Sequence, residues 1–386
     1  MLKRGVLLIG FLSTFSLSLA QHHEAAAETK PATETKVVSA EEAEKEQIKK
    51  ENKEFIDHHL LDAHSFDIMV EKKADGTEHH IGFPLPVIFY DEANGLHAFM
   101  SSEFHHGKEM KDAHGKKYYV VESKGANYAL YHEKIVKTDA SGAITLDDHG
   151  HATNAKVLDL SITKSVLMIL CASLLMIVIF GSMARNYKKS PIPTGAGKLF
   201  EPLVIFIRDE IAIPNIGPKY HKYISYLLTI FFSILFLNAF GLLPFRINVT
   251  GNLAITAALA IFTFIITQFT ANRNYWQHIF WMPGLPFLMK LVMIPIELIG
   301  MIIKPFALLI RLFANMSAGH IVIMSLIAMI YYFQNVIAGV AFPFLTFVLY
   351  LLEILVAFLQ AYIFTMLSAV YFGMANEEHH HEEAHH

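Results

Sequence analysis

The segment "LIRLFANMSAGH", residues 309–320, places an arginine, an asparagine and a histidine in the middle of a long apolar run. That run extends from Leu291 to Phe333, which is 43 residues. As a single helix it would be about 65 Å long, whereas the hydrocarbon core of a bilayer is only about 30 Å thick. The segment therefore cannot be an ordinary upright span. It has to tilt, break or lie partly along the membrane, and Pro295 and Pro305 permit bends.

A second overlong apolar segment follows almost at once. Residues 336–374 are apolar for 39 residues with one proline, and only the short "FQN" connection separates them from the first segment. Two overlong helices joined by so short a turn predict a tilted helical hairpin. Such a hairpin could wrap the side of a partner instead of packing into an upright bundle.

Composition places the rest of the chain in the same class. Of the 386 residues, 53% are hydrophobic and 17% charged, and the formal net charge is −4. This balance is too apolar for a soluble protein of this size, and it gives no sign of a nucleic-acid partner. The one cysteine, Cys171, excludes a disulfide within the chain. We expect no cofactor.

Three further apolar segments, residues 165–184, 223–243 and 249–271, raise the predicted spans to five. Basic residues follow the first ("RNYKK") and the third ("NR"), which places those two ends in the cytoplasm. Residues 197–217 read as an amphipathic segment on the cytoplasmic surface. The predicted fold is an all-α polytopic membrane protein with five transmembrane helices, two of them long and tilted, and an extra N-terminal exported domain.

The polar parts of the chain divide by composition. Residues 1–20 resemble a secretory signal peptide, with a retained anchor helix as the alternative. Residues 21–53 are a disordered or charged linker, residues 54–160 an exported, periplasmic domain, residues 161–376 the membrane domain, and residues 377–386 a cytoplasmic His/Glu-rich tail. The predicted location is the bacterial inner membrane.

The exported domain is predicted to be β-rich. Its β-like runs are "FDIMVE", "KKYYVVES", "NYALYHEKIV" and "AITLDD", separated by the turn signals "ADG", "KGAN" and "ASG". Its many histidines could suggest a metal site, but they lack zinc-type spacing and favour solvated side chains instead. We expect no metal centre.

The ionisable residues inside the two overlong segments are ordered. Each is costly in lipid, on the order of a few kcal/mol. Apart from tyrosines they are Glu297, Lys304, Arg311, His320 and Glu353. The first three recur every seven residues and so share one helix face, which also carries Asn315 and Ala318. On the last helix, Glu353, Ala357 and Gln360 share a face.

Two simpler interpretations of these charges stay open. Snorkelling to the interface suits Glu297 and Lys304, which lie nearer the cytoplasmic end, but not the central Arg311. An ion pair between Arg311 and Glu353 is the second. His320 could be a satisfied core histidine, although its co-occurrence with Glu353 favours a proton relay.

The stretch "PFALLIRLFANMSAGH" resembles the signature helix of subunit a of the F-type ATP synthase. The resemblance covers roughly residues 155–378 and includes "NAFGLLP", the ladder Glu297–Lys304–Arg311, and "EILVAFLQAYIFTMLSAVY" at 353–371. Ile310 departs from a common leucine. The exported domain is not part of the family pattern.

The resemblance implies a non-catalytic stator subunit that conducts protons beside a ring of c subunits, each with a mid-membrane carboxyl group. Peripheral-stalk b subunits and the rest of the F0F1 complex would be its other protein partners. Two offset half-channels would meet near Arg311, the essential gate, and couple ion flow to ring rotation and ATP synthesis. The implied roles are a proton relay (His320, Glu353, Glu297), polar channel lining (Asn315, Gln360, Ser317, Asn238, Lys304) and close packing to the ring (Ala318, Gly319, Ala357).

Two rival classes fit less well. A secondary transporter predicts inverted repeats around a midplane site, and neither a repeat nor an even number of spans is present. A binding module with a membrane anchor needs only one helix and leaves Arg311, His320 and Glu353 unexplained.

Overall fold

The computed structural model describes residues 62–72, 78–112, 117–147, 152–190, 192–243, 248–281, 286–333 and 336–376. The predicted signal peptide, the charged linker, the first residues of the exported domain and the C-terminal tail lie outside these ranges.

The N-terminal region contains strands, as predicted. They are β1 (Ser65–Lys72), β2 (Glu78–Pro84), β3 (Pro86–Asp91), β4 (Gly95–Met100), β5 (Lys108–Lys111), β6 (Lys117–Ser123), β7 (Ala126–Tyr131), β8 (Lys134–Lys137) and β9 (Leu158–Asp159), with a short helix α1 (Ser102–His106) after β4. All pairings are antiparallel, in sheets ordered β1-β2, β4-β3-β9 and β5-β6-β7-β8. Alternate residues of β3 and β7 point inward, so that Val87, Phe89 and Tyr128 are fully buried.

The predicted run 127–136 is two strands, because its centre turns. His132 and Glu133 have φ values of 48° and 56°, the left-handed values that a two-residue hairpin turn needs. In the described part of the run 143–148, residues 143–147, the structure has only an isolated bridge, between Leu146 and Ala152.

Five helices are long and apolar enough to cross a membrane, which confirms the predicted number for the described part of the chain. They are α2 (Lys164–Tyr187), α5 (Ile224–Leu242), α6 (Leu253–Thr270), α8 (Phe287–Phe333) and α9 (Val336–Asn376), with shorter helices α3 (Gly197–Phe206), α4 (Ile213–Ile216) and α7 (Arg273–Phe280) between them. A π-helical turn, Ile207–Ala212, joins α3 to α4, and a 3₁₀ segment, Gly217–Lys222, precedes α5. Each spanning helix satisfies its own backbone hydrogen bonds, as lipid requires.

The helices pack around one buried cluster. Its fully buried members include Ile207 and Ile211 from the π-helical turn, Leu227 and Phe231 from α5, and Phe372 from α9. The segment 197–217 was predicted to lie on the membrane surface. In the structure its π-helical turn packs against the helix bundle through Ile207 and Ile211, which are four residues apart and form one apolar stripe.

Helices α8 and α9 are each continuous, over 47 and 41 residues, although α8 contains Pro295 and Pro305. They pack against each other at both ends: the Lys304 Nζ atom lies 3.8 Å from the Met374 sulfur, and the rings of Phe333 and Phe342 stack 5.8 Å apart. The first part of α8 therefore contacts the last part of α9.

The strand domain leads into α2 without a linker. The Leu160 amide donates to the Ile88 carbonyl (2.8 Å), and the Ile162 amide donates to the Pro86 carbonyl (3.1 Å). The ladder beside β3 thus continues to within two residues of the start of α2.

Asp62 caps the start of α2. Its carboxylate accepts hydrogen bonds from the Thr163 hydroxyl (2.9 Å) and the Ser165 amide (3.1 Å), and the Asn252 amide before α6 lies 3.5 Å away. A carboxylate at a helix N-terminus also suits the helix dipole. This contact fixes the beginning of the strand domain to two helices.

Candidate functional site

Helix α8 has two distinct sides around its centre. Leu308, Leu312 and Met316 recur every four residues and are buried, whereas Arg311 and Asn315, on the adjoining face, are exposed. Ala318 is exposed as well. The exposed side therefore presents a guanidinium, an amide and a small residue together, and a partner could approach it closely at Ala318.

Among the described residues, Arg311 makes no hydrogen bond and no ion pair. The pair with Glu353 considered from the sequence is thus absent, since Glu353 points toward Gly319 instead. An exposed, unpartnered cation in a spanning helix is expensive in lipid, so the position favours an external anionic partner.

His320 and Glu353 lie together at one end of the site. Glu353 is 8% exposed. Its carboxyl group lies so close to Gly319 that a methyl group there would be 3.0 Å from Oε1. Both His320 and Glu353 line a cavity of about 710 Å³, which Leu242 and Tyr350 also border. The His320 Nε2 atom is buried and has no hydrogen-bond partner in the described structure, so a water molecule in this cavity is its natural partner.

Glu297 and Lys304 lie at the other end of α8. They line a separate cavity of about 170 Å³ together with Tyr275 and His278. The Lys304 Nζ atom is 5.7 Å from the centre of the Tyr371 ring, a distance that permits a cation–π contact. Helix α7, which supplies Tyr275 and His278, was not predicted. Its amphipathic sequence "RNYWQHIF" after Asn272 was the available signal.

Arg311 lies between the two cavities. By the helical rise it is about 21 Å from Glu297 and about 13 Å from His320 along the axis. The nine-residue offset also turns His320 half way round the helix from Arg311. The arrangement therefore offers two separate polar regions with a permanent cation between them.

Asn238 has a structural role that the amino-acid sequence did not predict. It is fully buried, donates from Nδ2 to the Ala357 carbonyl (3.0 Å) and accepts from the Thr250 hydroxyl (2.7 Å). It thus joins α5, α9 and the loop before α6. That loop also contacts α8, where the Ser317 hydroxyl donates to the Gly251 carbonyl (3.3 Å).

The shared face predicted on α9 is an inward one. Glu353, Ala357 and Gln360 are all buried, and Ala357 and Gln360 are 3% exposed. Ala357 packs within the chain, beside the α5 side that carries Asn238. Leu355 and Leu359 occupy the outer side and are 66% and 44% exposed.

The strand domain holds its own buried charges. His64, 2% exposed, contacts Asp159 Oδ2 through Nε2 (2.8 Å), and Nδ1 lies 3.7 Å from Glu133 Oε2. Burial alone would lower the pKa of His64, but the two carboxylates outweigh it and raise this pKa to about 9. Within the described residues, no group of three His, Cys, Asp or Glu side chains could hold a metal ion. His58, His59, His114, His149 and His151 lie outside the described ranges.

Comparison with known proteins separates the two regions. The family model of the ATP synthase A chain matches residues 166–373, more than half of the chain, and the model of a domain of unknown function matches residues 55–160.

Curated relatives match more than half of the chain as well. Over 227 residues, the chain is 47% identical to ATP synthase subunit a 2 of Chlorobaculum tepidum, covering 56% of this chain and 64% of the relative. It is 48% identical to ATP synthase subunit a of Chloroherpeton thalassium (59% and 70%) and 41% identical to that of an Anaeromyxobacter species (62% and 62%). The chain thus spans about two thirds of these relatives' length.

Proposed function

This chain belongs to the ATP synthase A chain family, and we propose that it is the proton-conducting stator subunit a of an F-type ATP synthase. Its partners would be a ring of c subunits, peripheral-stalk b subunits and the remaining F0F1 complex. The subunit would not catalyse a reaction alone; it would couple proton flow to rotation of the ring. The observation that carries the proposal is Arg311, which is exposed between two cavities and has no hydrogen bond or ion pair with any residue that the structure describes.

The guanidinium explains the need for a separate relay. It stays protonated at any working pH, so Arg311 cannot pass protons itself. It can attract a carboxylate of the passing ring and favour the ionised form of that carboxylate. A ring carboxylate then releases its proton on one side of Arg311 and takes up another on the other side. The same fixed cation obstructs direct leakage between the two cavities.

The two cavities supply the half-channels in this proposal. His320 and Glu353 line the larger one, and each can take up and release a proton. Glu297 lines the smaller one and provides a second exchangeable group, with Lys304 beside it. The offset between the cavities forces a proton to travel with the ring between uptake and release. The driving free energy is roughly 2.3 kcal/mol per charge per 100 mV of membrane potential.

The exposed face of α8 is the side that would pack against the ring. Asn315 and Ala318 share the exposed face with Arg311, and Ala318 leaves space for a close helix. Gly319 lets the Glu353 carboxyl approach α8. The hydrogen bonds of Asn238 and Ser317 join α5, α8 and α9 through the loop before α6, and Gln360 is buried one turn from Ala357.

The proposed orientation of the subunit rests on its charges and on one contact between helix ends. The Asn272 amide donates to the Ala375 carbonyl (2.8 Å), so the end of α6 and the end of α9 lie on the same side. Arg273 and the basic residues after α2 mark that side as cytoplasmic. The strand domain then lies on the periplasmic side of the inner membrane, together with the His320–Glu353 cavity.

The test is ATP-driven proton pumping by assembled complexes in inverted membrane vesicles. Arg311→Ala should abolish pumping while the complex still assembles, and passive proton leakage should rise. Arg185→Ala is the matched control, because Arg185 is exposed at the end of α2 and bonds only to the Gly181 carbonyl of its own helix in the described structure. Pumping by Arg311→Ala at the wild-type rate would contradict the proposal.

A further inference from the structure

One sheet of the strand domain carries an apolar surface on its outer side. In the sheet β4-β3-β9, alternate residues point inward to a core that includes Phe89 and His97. The residues of the opposite side form the apolar sheet face: Pro86, Ile88, Tyr90, Leu96, Ala98, Met100, Leu158 and Leu160. None of these eight side chains is charged.

This face is well exposed. Leu96 is 54% exposed, Leu158 61%, Leu160 57% and Tyr90 44%. An antiparallel sheet with one side in water normally places polar residues on that side. A contiguous exposed apolar surface instead marks a place where something binds.

The apolar sheet face is continuous with the surface of a spanning helix. Strand β9 leads into α2 through the hydrogen-bonded residues 160–162, and the outer side of α2 continues with Val166, Leu170 and Leu174. Because no flexible segment intervenes, the sheet is held at the boundary where α2 enters the bilayer.

Two residues of the same domain belong to a buried cluster that also contains a residue of α2. Phe66 and Leu85 form one buried cluster with Ala172, which lies eight residues into the helix. That offset places Ala172 about 12 Å from the helix start, beside the apolar part of α2. Phe83 stacks on Phe66 at 4.6 Å and is itself 46% exposed. An exposed aromatic ring at this level suits the interfacial layer of a membrane.

We propose that the apolar sheet face rests on the lipid bilayer, in the leaflet that receives the N-terminal end of α2, with Phe83 and Leu160 nearest the acyl chains. The domain is then a monotopic membrane-binding module as well as an extension of α2. Interfacial elements of this kind bury their apolar side roughly 5–10 Å into the headgroup and acyl boundary. The inference requires only that α2 spans the membrane, and it is independent of proton conduction.

The competing occupant is a protein surface, and the experiment separates the two. Assembled complexes containing the full chain are reconstituted into phosphatidylcholine–phosphatidylglycerol vesicles, in a Cys171→Ser background. Ala98→Cys places a fluorescent label in the middle of the apolar sheet face. Ala140→Cys is the matched control, because Ala140 is an exposed alanine of the same domain outside that face. Leu174→Cys, at a site that is 62% exposed on α2, serves as the lipid standard.

The proposal predicts that doxyl-labelled lipids quench the label at position 98 to an extent comparable with position 174, while aqueous iodide quenches it weakly. The label at position 140 should show the opposite pattern. Protection from iodide without quenching by doxyl lipids would assign the face to a protein and overturn the proposal. Iodide quenching at position 98 as strong as at position 140 would show an open face and would also overturn it.

Discussion

The buried ion cluster around His64 makes the stability of the strand domain depend on pH. His64 is almost fully buried between Asp159 and Glu133, and its pKa is raised from an ordinary value of 6.5 to about 9. A histidine with a raised pKa binds its proton more tightly in the folded state. Its stabilising contribution is therefore complete below about pH 6.5 and disappears as the pH rises through about 9.

The size of the effect follows from the two pKa values. A shift from 6.5 to about 9 corresponds to roughly 3 kcal/mol between about pH 6 and about pH 9.5. The constant for opening of the domain should then increase roughly two-hundredfold over that range. Burial would raise the pKa of Asp159, but hydrogen bonds to His64 and Ser161 outweigh it and lower this pKa. The part due to His64 is the same interaction and adds no separate amount.

A buried cysteine can measure this opening in the intact complex. Ala129 is fully buried in β7, so in an Ala129→Cys, Cys171→Ser variant the thiol reacts only when the domain opens. The labelling rate, divided by the rate for denatured protein at the same pH, gives the opening constant. His64→Leu in the same background is the comparison, and it should be more open near pH 6 and nearly independent of pH.

Two results would refute this reasoning. One is an opening constant that changes less than about threefold between about pH 6 and about pH 9.5 in the protein that retains His64. The raised pKa of His64 requires a change of roughly two-hundredfold. The other is an equal pH dependence in the His64→Leu variant, which would assign the effect to other groups.

Three glycines make further predictions. Gly319→Ala should displace the Glu353 carboxyl by a few tenths of an ångström and slow ATP-driven pumping in vesicles, while the complex still assembles; wild-type pumping would contradict the role of this contact. Gly373→Ala should destabilise the complex by roughly 1–3 kcal/mol in thermal unfolding, because a methyl group there would collide with the Asn215 backbone carbonyl. Gly181→Ala, on α2 and with open space around the added methyl group, should leave both properties unchanged, and a loss equal to that of Gly373→Ala would show that steric collision is not the cause.

The spanning helices could be predicted closely from sequence. The predicted span 223–243 and the observed helix Ile224–Leu242 differ by a residue at each end. This success has a physical reason, since lipid leaves a long apolar segment few alternatives to a helix. The sequence also predicts which residues of α8 share a face, because helical geometry fixes the angular spacing of Arg311, Asn315 and Ala318.

The strands between residues 78 and 111 were not predicted. The stretch "GFPLPVIFYD" contains two prolines, which weaken a strand prediction, yet Pro86 is the first residue of β3, where proline is tolerated. Whether this stretch forms a strand depends on where its prolines lie in the sheet. That place depends on the pairing with other strands, which the sequence of one segment does not show.

Contacts between distant residues were beyond sequence reasoning altogether. His64 meets Asp159 across 95 positions, and Asn238 meets Ala357 across 119. Channel lining by Asn238 was implied only by the family resemblance. Its bonds inside the bundle give the amide a structural use, which only the packed arrangement reveals.

The direct passage from β9 into α2 fixes the length of the chain at that point. Adding one residue between Leu160 and Lys164 would turn a strand side chain to the opposite face and rotate a helix by about 100°. These two rotations differ, so one insertion cannot preserve both the apolar sheet face and the lipid-facing side of α2. The number of residues at this junction therefore fixes how the side chains of the strand and those of the helix face relative to each other. Variation in chain length in this domain should collect in its turns and stay out of residues 160–164.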